Sequence, residues 1–594
     1  MNTLEQPRPV IGTGDFGSLV AGGIFVDKTL LIADLLADGA EALLITRPRR
    51  WGKTLNMSML YHFLRFEVRE NATTHKLETL NPHEGFFDNL KIGKKHPELI
   101  AKHQGKWPVI SLTLKGIQNS DLPTIEQNFK DIFATLYSRH SYLDDWLCTL
   151  EQKRAVVAKD KYFADVLEGN LGLAGLQKAL YFLTELLYEY HGRKVFVLLD
   201  EYDTPLNNTF PEPALYKEVL SFMRGLLGNS FKDNPYLEKG IITGILRVAK
   251  ADLFSGLNNF MEYSLLHKRY AEHFGFTDAE VSDLFAHPRV QAMIEAPAPA
   301  PDAIKAWYNG YTIGGLTIYN PWSIMNCITE HGQLALYWVS SGSDTLLREL
   351  LKGNGHLVYQ IEQLLAEDRI QVTISPYINM LDMSPTLKFW SLMLAAGYAT
   401  LAEEVPTLPS TTYPCWIRIP NMEVRAAYEG LIIGWFGDQV GPSHYTDMIE
   451  SLFFGDIELF SEALNGYLTE ATSVRNVGPH KAEQYYSGFM VGLFTVIQKD
   501  YAIHSEAESG EGYADMLAIP RQGNGKVAVV FEYKVASSKE ALASKVQEAL
   551  DQIDKKGYIM RVKNYGHIEQ VMKVGVAFYG KEALVTSESV QLSG

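Results

Sequence analysis

Two α/β domains with a mainly helical region between them are what this sequence predicts. Three observations carry that expectation. Short apolar strands alternate with helical stretches through the first half of the chain. A Gly-Lys-Thr loop stands between the first clear strand and its helix. Near the other end, a hairpin puts two carboxylates and a lysine on one face. The composition agrees. At 46% hydrophobic and 21% charged residues, the 594-residue chain has ordinary globular usage. That excludes a disordered chain, a collagen-like chain and a small disulfide scaffold.

In chain order, the first strand is Glu41–Thr46. It runs through Arg47-Pro-Arg-Arg-Trp-Gly-Lys-Thr54 into a helix with Leu55, Met59, Leu60, Phe63 and Leu64 at helical spacing. A polar stretch read as helical leads to a second strand at 108–114. Residues 122–190 read as helices. A third strand, 194–199, ends in Asp200-Glu201-Tyr-Asp203, and a fourth, 240–246, ends near Arg247. Strands spaced this way predict a parallel sheet covered on both faces. Residues 277–400 look mainly helical, broken at Trp307–Tyr311 and at Tyr319–Trp322. The Pro/Thr-rich run 405–414 reads as a linker or hairpin loop, and the helix around Asn421–Phe436 as a bridge between domains. Residues 445–500 read as helices. From Tyr501 the order becomes strand, hairpin, strand, helix, strand. The expected domains are 1–275, 276–440 and 441–594.

A P-loop is Gly, four residues, Gly-Lys-Ser/Thr. Its backbone amides cradle phosphate, its lysine reaches the β and γ phosphates, and its hydroxyl ligates magnesium. Gly52, Lys53 and Thr54 match at a helix start, where the helix dipole favours an anion. The first glycine is replaced by Arg47. Asp200 would hold the magnesium and Glu201 would polarise the attacking water. The bland alternative for Asp200-Glu201 is a solvated acidic turn. Thr243, Arg247 and Lys250 follow the fourth strand, where they could touch the γ-phosphate or serve only as surface and capping residues. Arg49 and Arg50 could grip phosphate or pair with the Asp203 region. Asp15-Phe16 and Phe25–Thr29 could line the adenine end.

The second site rests on hairpin geometry. Positions 515 and 532 are centred between Gly523 and Asn524, in a turn by composition, so Asp515 falls opposite Glu532. Lys534 lies two residues on and shares the face of Glu532, whereas Tyr533 points the other way with Phe531. Facing carboxylates repel unless a cation lies between them, and oxygen ligands suit magnesium. The lysine could orient a water or stabilise a phosphate. An ordinary cross-strand ion pair is the bland alternative. Glu483 is a further candidate ligand or a solvated helix residue.

Phe25-Val-Asp-Lys-Thr29, Arg47-Pro-Arg-Arg-Trp-Gly-Lys-Thr54, Leu199-Asp-Glu-Tyr-Asp-Thr-Pro-Leu206, Thr243-Gly-Ile-Leu-Arg-Val-Ala-Lys250, Ser255-Gly-Leu-Asn-Asn259 and Tyr319-Asn-Pro-Trp-Ser323 resemble the bacterial AAA-ATPase-like family. Members of that family typically end in a PD-(D/E)XK nuclease-superfamily domain. In this family an arginine in place of the first P-loop glycine is usual. The resemblance covers nearly the whole chain. It implies a P-loop NTPase parallel sheet with a helical insertion and helical region, followed by a C-terminal PD-(D/E)XK restriction-endonuclease-like α/β domain. Gln552, near the end of the helix read at 538–555, resembles a motif glutamine that some members use to fix the site. Tyr558 is off the familiar spacing.

The implied cofactors are ATP and Mg2+. Nucleotide-binding candidates are Arg49, Arg50, Gly52, Lys53, Thr54, Asp200, Thr243 and Arg247. Catalytic candidates are Glu201, Asp515, Glu532, Lys534 and Gln552. Thr54, Asp200, Asp515 and Glu532 are the metal candidates. The expected activity is an ATP-regulated or ATP-dependent nuclease acting on DNA or RNA. The alternatives are an ATP-switched signalling or assembly module with an inert nuclease fold, and a DNA-bound remodelling ATPase. Self-assembly is a possible accompaniment.

Net charge is −16, which argues against coating nucleic acid through bulk charge. Residues 501–594 hold 11 Lys/Arg against 12 Asp/Glu, so nearly all the acidic excess lies upstream of them. Contact with nucleic acid through a local patch is therefore expected. No apolar run approaches a membrane span, and no secretory signal is visible at the start. Three scattered cysteines fit a reducing cytosol, so a cytoplasmic protein is expected. The histidines show no zinc spacing.

Overall fold

The computed structural model describes residues 9–71, 76–117, 121–151, 153–209, 212–248, 253, 260–294, 298–338, 355–366, 369–378, 383–403, 412–428, 448–449, 451–453, 455–471, 486, 490, 501–509, 512–521, 526–555, 559–563 and 565–592. Lys250, the Ser255–Asn259 motif, Glu483, Tyr558, most of the 405–414 run and the turn 522–525 lie outside these. So do most of 429–500. The chain divides into two compact units: residues 1–340 with 371–421, and residues 341–370 with 422–594.

The first unit is built on a five-stranded parallel sheet. Its strands are β1 (Ala42–Thr46), β2 (Val109–Thr113), β3 (Val195–Asp200), β4 (Leu237–Gly244) and β5 (Phe260–Tyr263), in the order β2-β3-β4-β1-β5. Every residue of β1 and β3 is buried, as expected of strands covered on both faces. Strand β5 is an addition to the sequence reading, since four residues give too short a pattern to see.

Helices supply the cover. The helix Lys53–Leu64 buries Met57, Met59, Leu60, Phe63 and Leu64. The helix Leu122–Ser138, capped by Asp121 accepting from the Thr124 amide, buries Ile125, Phe129, Phe133 and Leu136. Ala179–His191 ends on Gly192 in the left-handed conformation. The polar stretch before β2 is not all helix: it begins with a hairpin, Glu67–Glu70 with Leu77–Leu80. The region from 277 to 400 likewise carries a hairpin, Tyr311–Ile313 with Leu316–Ile318, between its helices.

The C-terminal unit holds a mixed sheet of β6 (Tyr501–Ser509), β7 (Gly512–Pro520), β8 (Val527–Val535), β9 (Gln570–Tyr579) and β10 (Glu582–Gln591), side by side in chain order. Only β8 and β9 pair parallel, and the helix Leu542–Lys555 makes that crossover. The helix buries Val546, Ala549, Leu550 and Ile553. It can lie close on β9 because Gly575 is there: an added Cβ would come within 2.8 Å of the Val546 carbonyl. Among the described residues, no helix is long and apolar enough to cross a membrane.

Candidate functional site

In a parallel sheet, loops at the carboxyl ends of the strands gather on one edge. Here that edge collects the Arg47–Gly52 loop after β1, Asp200-Glu201 at the end of β3, and Thr243 near the end of β4. Gly52 precedes the helix Lys53–Leu64 with φ of 77°, and an added Cβ there would meet nothing within 4 Å. The space over the glycine is open, as a phosphate cradle requires.

Asp200 is the centre of the group. Its Oδ2 accepts from Thr54 Oγ1 at 2.6 Å, and its Oδ1 accepts from Thr243 Oγ1 and from the Glu201 amide at 3.0 Å. A hydroxyl and a carboxylate this close would suit a hard cation, to which the hydroxyl would offer an oxygen lone pair while keeping its proton. Lys53 is buried, and its Nζ donates to the Arg47 and Pro48 carbonyls at 3.0 and 2.7 Å. Burial pushes its pKa down, while Asp200, Asp203 and Glu201 oppose that shift. Glu201 adopts φ of 54°, uncommon for a non-glycine residue. Burial raises its carboxyl pKa, and neighbouring Asp200 raises it further.

The arginines divide. Arg47, where the glycine pattern has its first Gly, turns its side chain into the core. Its Nη1 donates to the Thr46 and Tyr263 carbonyls at 2.7 and 3.1 Å, and the guanidinium lies 5.2 Å from the Phe274 ring centroid. Burial lowers its pKa to about 9. Arg50, at φ of 64°, places its guanidinium 4.0 Å from the centre of the Trp322 ring. Arg49 is exposed, and its carbonyl accepts from Trp338 Nε1 at 3.1 Å. Arg247 is not brought to Asp200. It pairs with Glu262, donates to Tyr377 Oη at 2.8 Å and stacks on that ring. The carboxylate it pairs with stands on β5.

Asp203 is a residue whose role the sequence reading left open. It is 1% exposed. Its Oδ2 accepts from the amides of Ile245 and Leu246 at 3.1 and 2.7 Å and from Asn207 Nδ2 at 3.0 Å. It thereby ties the turn after β4 to the end of β3. Burial raises its pKa, against the Leu246 amide, which lowers it.

Beside Gly52 lies an apolar cavity of about 120 Å³, walled by Phe16, Phe25, Trp51, Phe276, Trp322 and Met325. The Phe16 and Phe25 segments meet the loop there. Trp322, from the Tyr319–Ser323 motif, supplies a wall that sequence reasoning gave no role.

In the C-terminal unit, the β7–β8 register pairs Met516 with Phe531 and Leu517 with Val530. That is the register the hairpin arithmetic requires. At its end the Asp515 carboxylate turns to accept from the Tyr533 amide at 2.6 Å. Glu532 is 1% exposed, and its Oε1 accepts from Lys534 Nζ at 2.9 Å. Asp515, Glu532 and Lys534 thus share one corner of the sheet. Gln552 is half-buried on the flank of the Leu542–Lys555 helix, with no hydrogen bond to these three among the described residues. Among the described residues, no three His, Cys, Asp or Glu side chains cluster as a ready metal cage. Two carboxylates alone still suit magnesium, which keeps several waters.

The first unit therefore has the sheet and loop arrangement of a P-loop-like fold, and the second is a mixed-sheet domain of the PD-(D/E)XK kind. Comparison with known proteins agrees. Residues 10–254 match the family described as "Predicted AAA-ATPase", and residues 481–588 match the PD-(D/E)XK nuclease superfamily. The chain carries a domain of each. It is also 25% identical over 590 residues, 97% of either chain, to an "Uncharacterized protein in vnfD 5'region" from Azotobacter chroococcum mcd 1.

Proposed function

We propose that the protein binds and hydrolyses ATP, and that its nucleotide state controls phosphodiester hydrolysis of DNA or RNA by the C-terminal domain. The observation that carries the first half is the Asp200 carboxylate held between the Thr54 and Thr243 hydroxyls beside buried Lys53. Gly52 and the loop amides would receive the phosphates, and Lys53 would exchange its carbonyl partners for phosphate oxygens. Thr54 and Asp200 would hold Mg2+. Glu201, with a raised pKa, would orient the attacking water as general base. Thr243 would sense the γ-phosphate end. The Phe276 and Trp322 walls suit an adenine ring.

In the second half, Asp515 and Glu532 would hold Mg2+, which when bound supplies charge neutralisation at the scissile phosphate. Lys534 would position a water and stabilise developing negative charge. Gln552 would act as an orienting residue. The cysteine usage supports a cytoplasmic setting.

The test is a cleavage assay on single- and double-stranded DNA and RNA with magnesium or manganese, with and without ATP. Asp515→Ala should abolish cleavage while ATP binding survives, and Lys53→Ala should abolish ATP control. Purified protein that never cuts any of these substrates under any condition refutes the nuclease half. ATP-dependent self-association without cleavage would point instead to the assembly reading.

A further inference from the structure

The acidic total of this chain hides one strongly basic surface. Lys91, Lys94, Lys95, Lys102 and Lys106 lie on the short helices Lys91–Lys95 and Pro97–His103 and the turn after them. Glu98 is the one carboxylate in that stretch. All five lysines are exposed, and among the described residues none has an ion pair. Some lysines of the same unit are matched, Lys130 with Glu126, Lys159 with Glu185 and Glu189, and Lys161 with Asp165. In a protein with 70 acidic and 54 basic residues, matched lysines are the expectation. What sets this run apart is its density, five lysines against one carboxylate in residues 91–106.

Two further cations extend the surface. Arg193 and Lys194 are exposed just before β3. Arg193 donates to the Lys106 carbonyl, and its guanidinium lies 4.7 Å from the Trp107 ring centroid. Trp107 in turn stacks on His103 at 5.8 Å and 12°. A guanidinium fixed in this way is pre-organised for an oxyanion. Burial lowers the His103 pKa, and the adjacent Lys102 and Arg193 charges lower it further, so these cations share one neighbourhood.

The surface is not part of the nucleotide site. Lys106 and Trp107 precede β2, and Arg193 and Lys194 precede β3, at the starting ends of parallel strands. The Gly52 loop and Asp200 lie at the finishing ends.

We propose that this patch docks the phosphate backbone of nucleic acid. Flexible lysines beside one held arginine suit sequence-independent phosphate contact. Choosing nucleic acid over another polyanion rests on the phosphodiester reading of the C-terminal domain.

The test uses the full chain carrying Asp515→Ala, so that the probe survives, and a short fluorescent DNA duplex and its RNA counterpart. Anisotropy titrations at several salt concentrations compare Lys94→Glu/Lys95→Glu/Lys102→Glu with Lys217→Glu/Lys232→Glu/Lys268→Glu. The second triple makes the same change in net charge on exposed lysines elsewhere. The patch triple should weaken binding about tenfold or more near physiological salt. It should also flatten the slope of log affinity against log salt by roughly 2–3, at about 0.9 per lost phosphate contact. The control triple should leave the slope unchanged. Equal effects of the two triples, or no binding by the parent protein, overturn the proposal. So does a patch effect on phosphatidylserine vesicles without one on nucleic acid. Unchanged binding of a fluorescent ATP analogue, or a Lys→Gln version of the triple, guards against misfolding. Patch-dependent binding by a protein that never cleaves would sink the nuclease reading and leave the patch standing.

Discussion

Replacing Asp203 tests whether the end of β3 and the turn after β4 are held as one piece. In Asp203→Ala the amides of Ile245 and Leu246 lose their acceptor in a site that is 1% exposed. An unsatisfied buried donor costs about 1–3 kcal/mol, so two cost about 2–6 kcal/mol. Asn207 is half-buried and can turn to water, so it adds little. Global unfolding of a multidomain chain is a poor readout. Amide hydrogen exchange of the peptide spanning 241–247 reads the turn directly. At the low end of that range, exchange at these two amides should quicken by about 30-fold. Asp203→Asn keeps one acceptor oxygen and should quicken it by far less. Thr243 sits two residues before Ile245 and donates to Asp200, so the alanine variant should also weaken ATP binding. Unchanged protection of Ile245 and Leu246 in Asp203→Ala would refute the clamp, whatever happens to ATP.

Further outcomes follow from the same geometry. Glu201→Gln should bind an ATP analogue as the parent does while turnover falls at least about 100-fold, as for loss of a general base; single-turnover hydrolysis measures this. Turnover needs ionised Glu201, whose pKa is raised, so the acid limb of the rate–pH profile should lie above the ordinary glutamate range. Asp203 also binds its proton more tightly folded than unfolded. Its contribution to stability is then fully present below its unfolded pKa and is lost as pH rises through the folded value. The stability gap between parent and Asp203→Asn should therefore narrow as pH is raised from about 4, which the parent-to-variant difference in amide exchange of the 241–247 peptide, compared at matched pH steps, would show. Trp322→Ala removes a cavity wall and a ring partner of Arg50. It should raise the dissociation constant for ATP about tenfold, read by isothermal titration, and leave Asp515-dependent cleavage at saturating ATP intact.

What could be read from the chain was local. Gly52-Lys53-Thr54 and Asp200-Glu201 were legible because each sits within a few residues of an apolar strand. The β7–β8 register was legible because a hairpin turn fixes pairing by counting, and Met516 does pair with Phe531. What could not be read was set by long-range register. Asp203 finds its two backbone donors beyond its own strand and turn more than forty positions away. Arg247 reads by position as a phosphate contact or a surface or capping residue, and its partners, Glu262 on a strand too short to recognise and Tyr377 far along the chain, are set by register. Trp322 came as a motif residue without a task, because a cavity wall exists only once distant segments meet.

Arg47 joins these two kinds of information. A glycine at that position would give the loop conformational freedom. An arginine instead reaches sideways to the Tyr263 carbonyl, fastening the start of the loop to β5. The fixed backbone then presents the Arg47 and Pro48 carbonyls to Lys53, which holds its ammonium in a buried site. Such a charge is tolerable only with acceptors and anions close by, and Asp200, Asp203 and Glu201 are those anions. An arriving phosphate would offer Lys53 a stronger partner than two neutral carbonyls. The side chain can change partners without refolding the loop, because Arg47 anchors it. The departure from the glycine pattern therefore exchanges loop flexibility for a fixed anchor, and leaves the lysine poised to move.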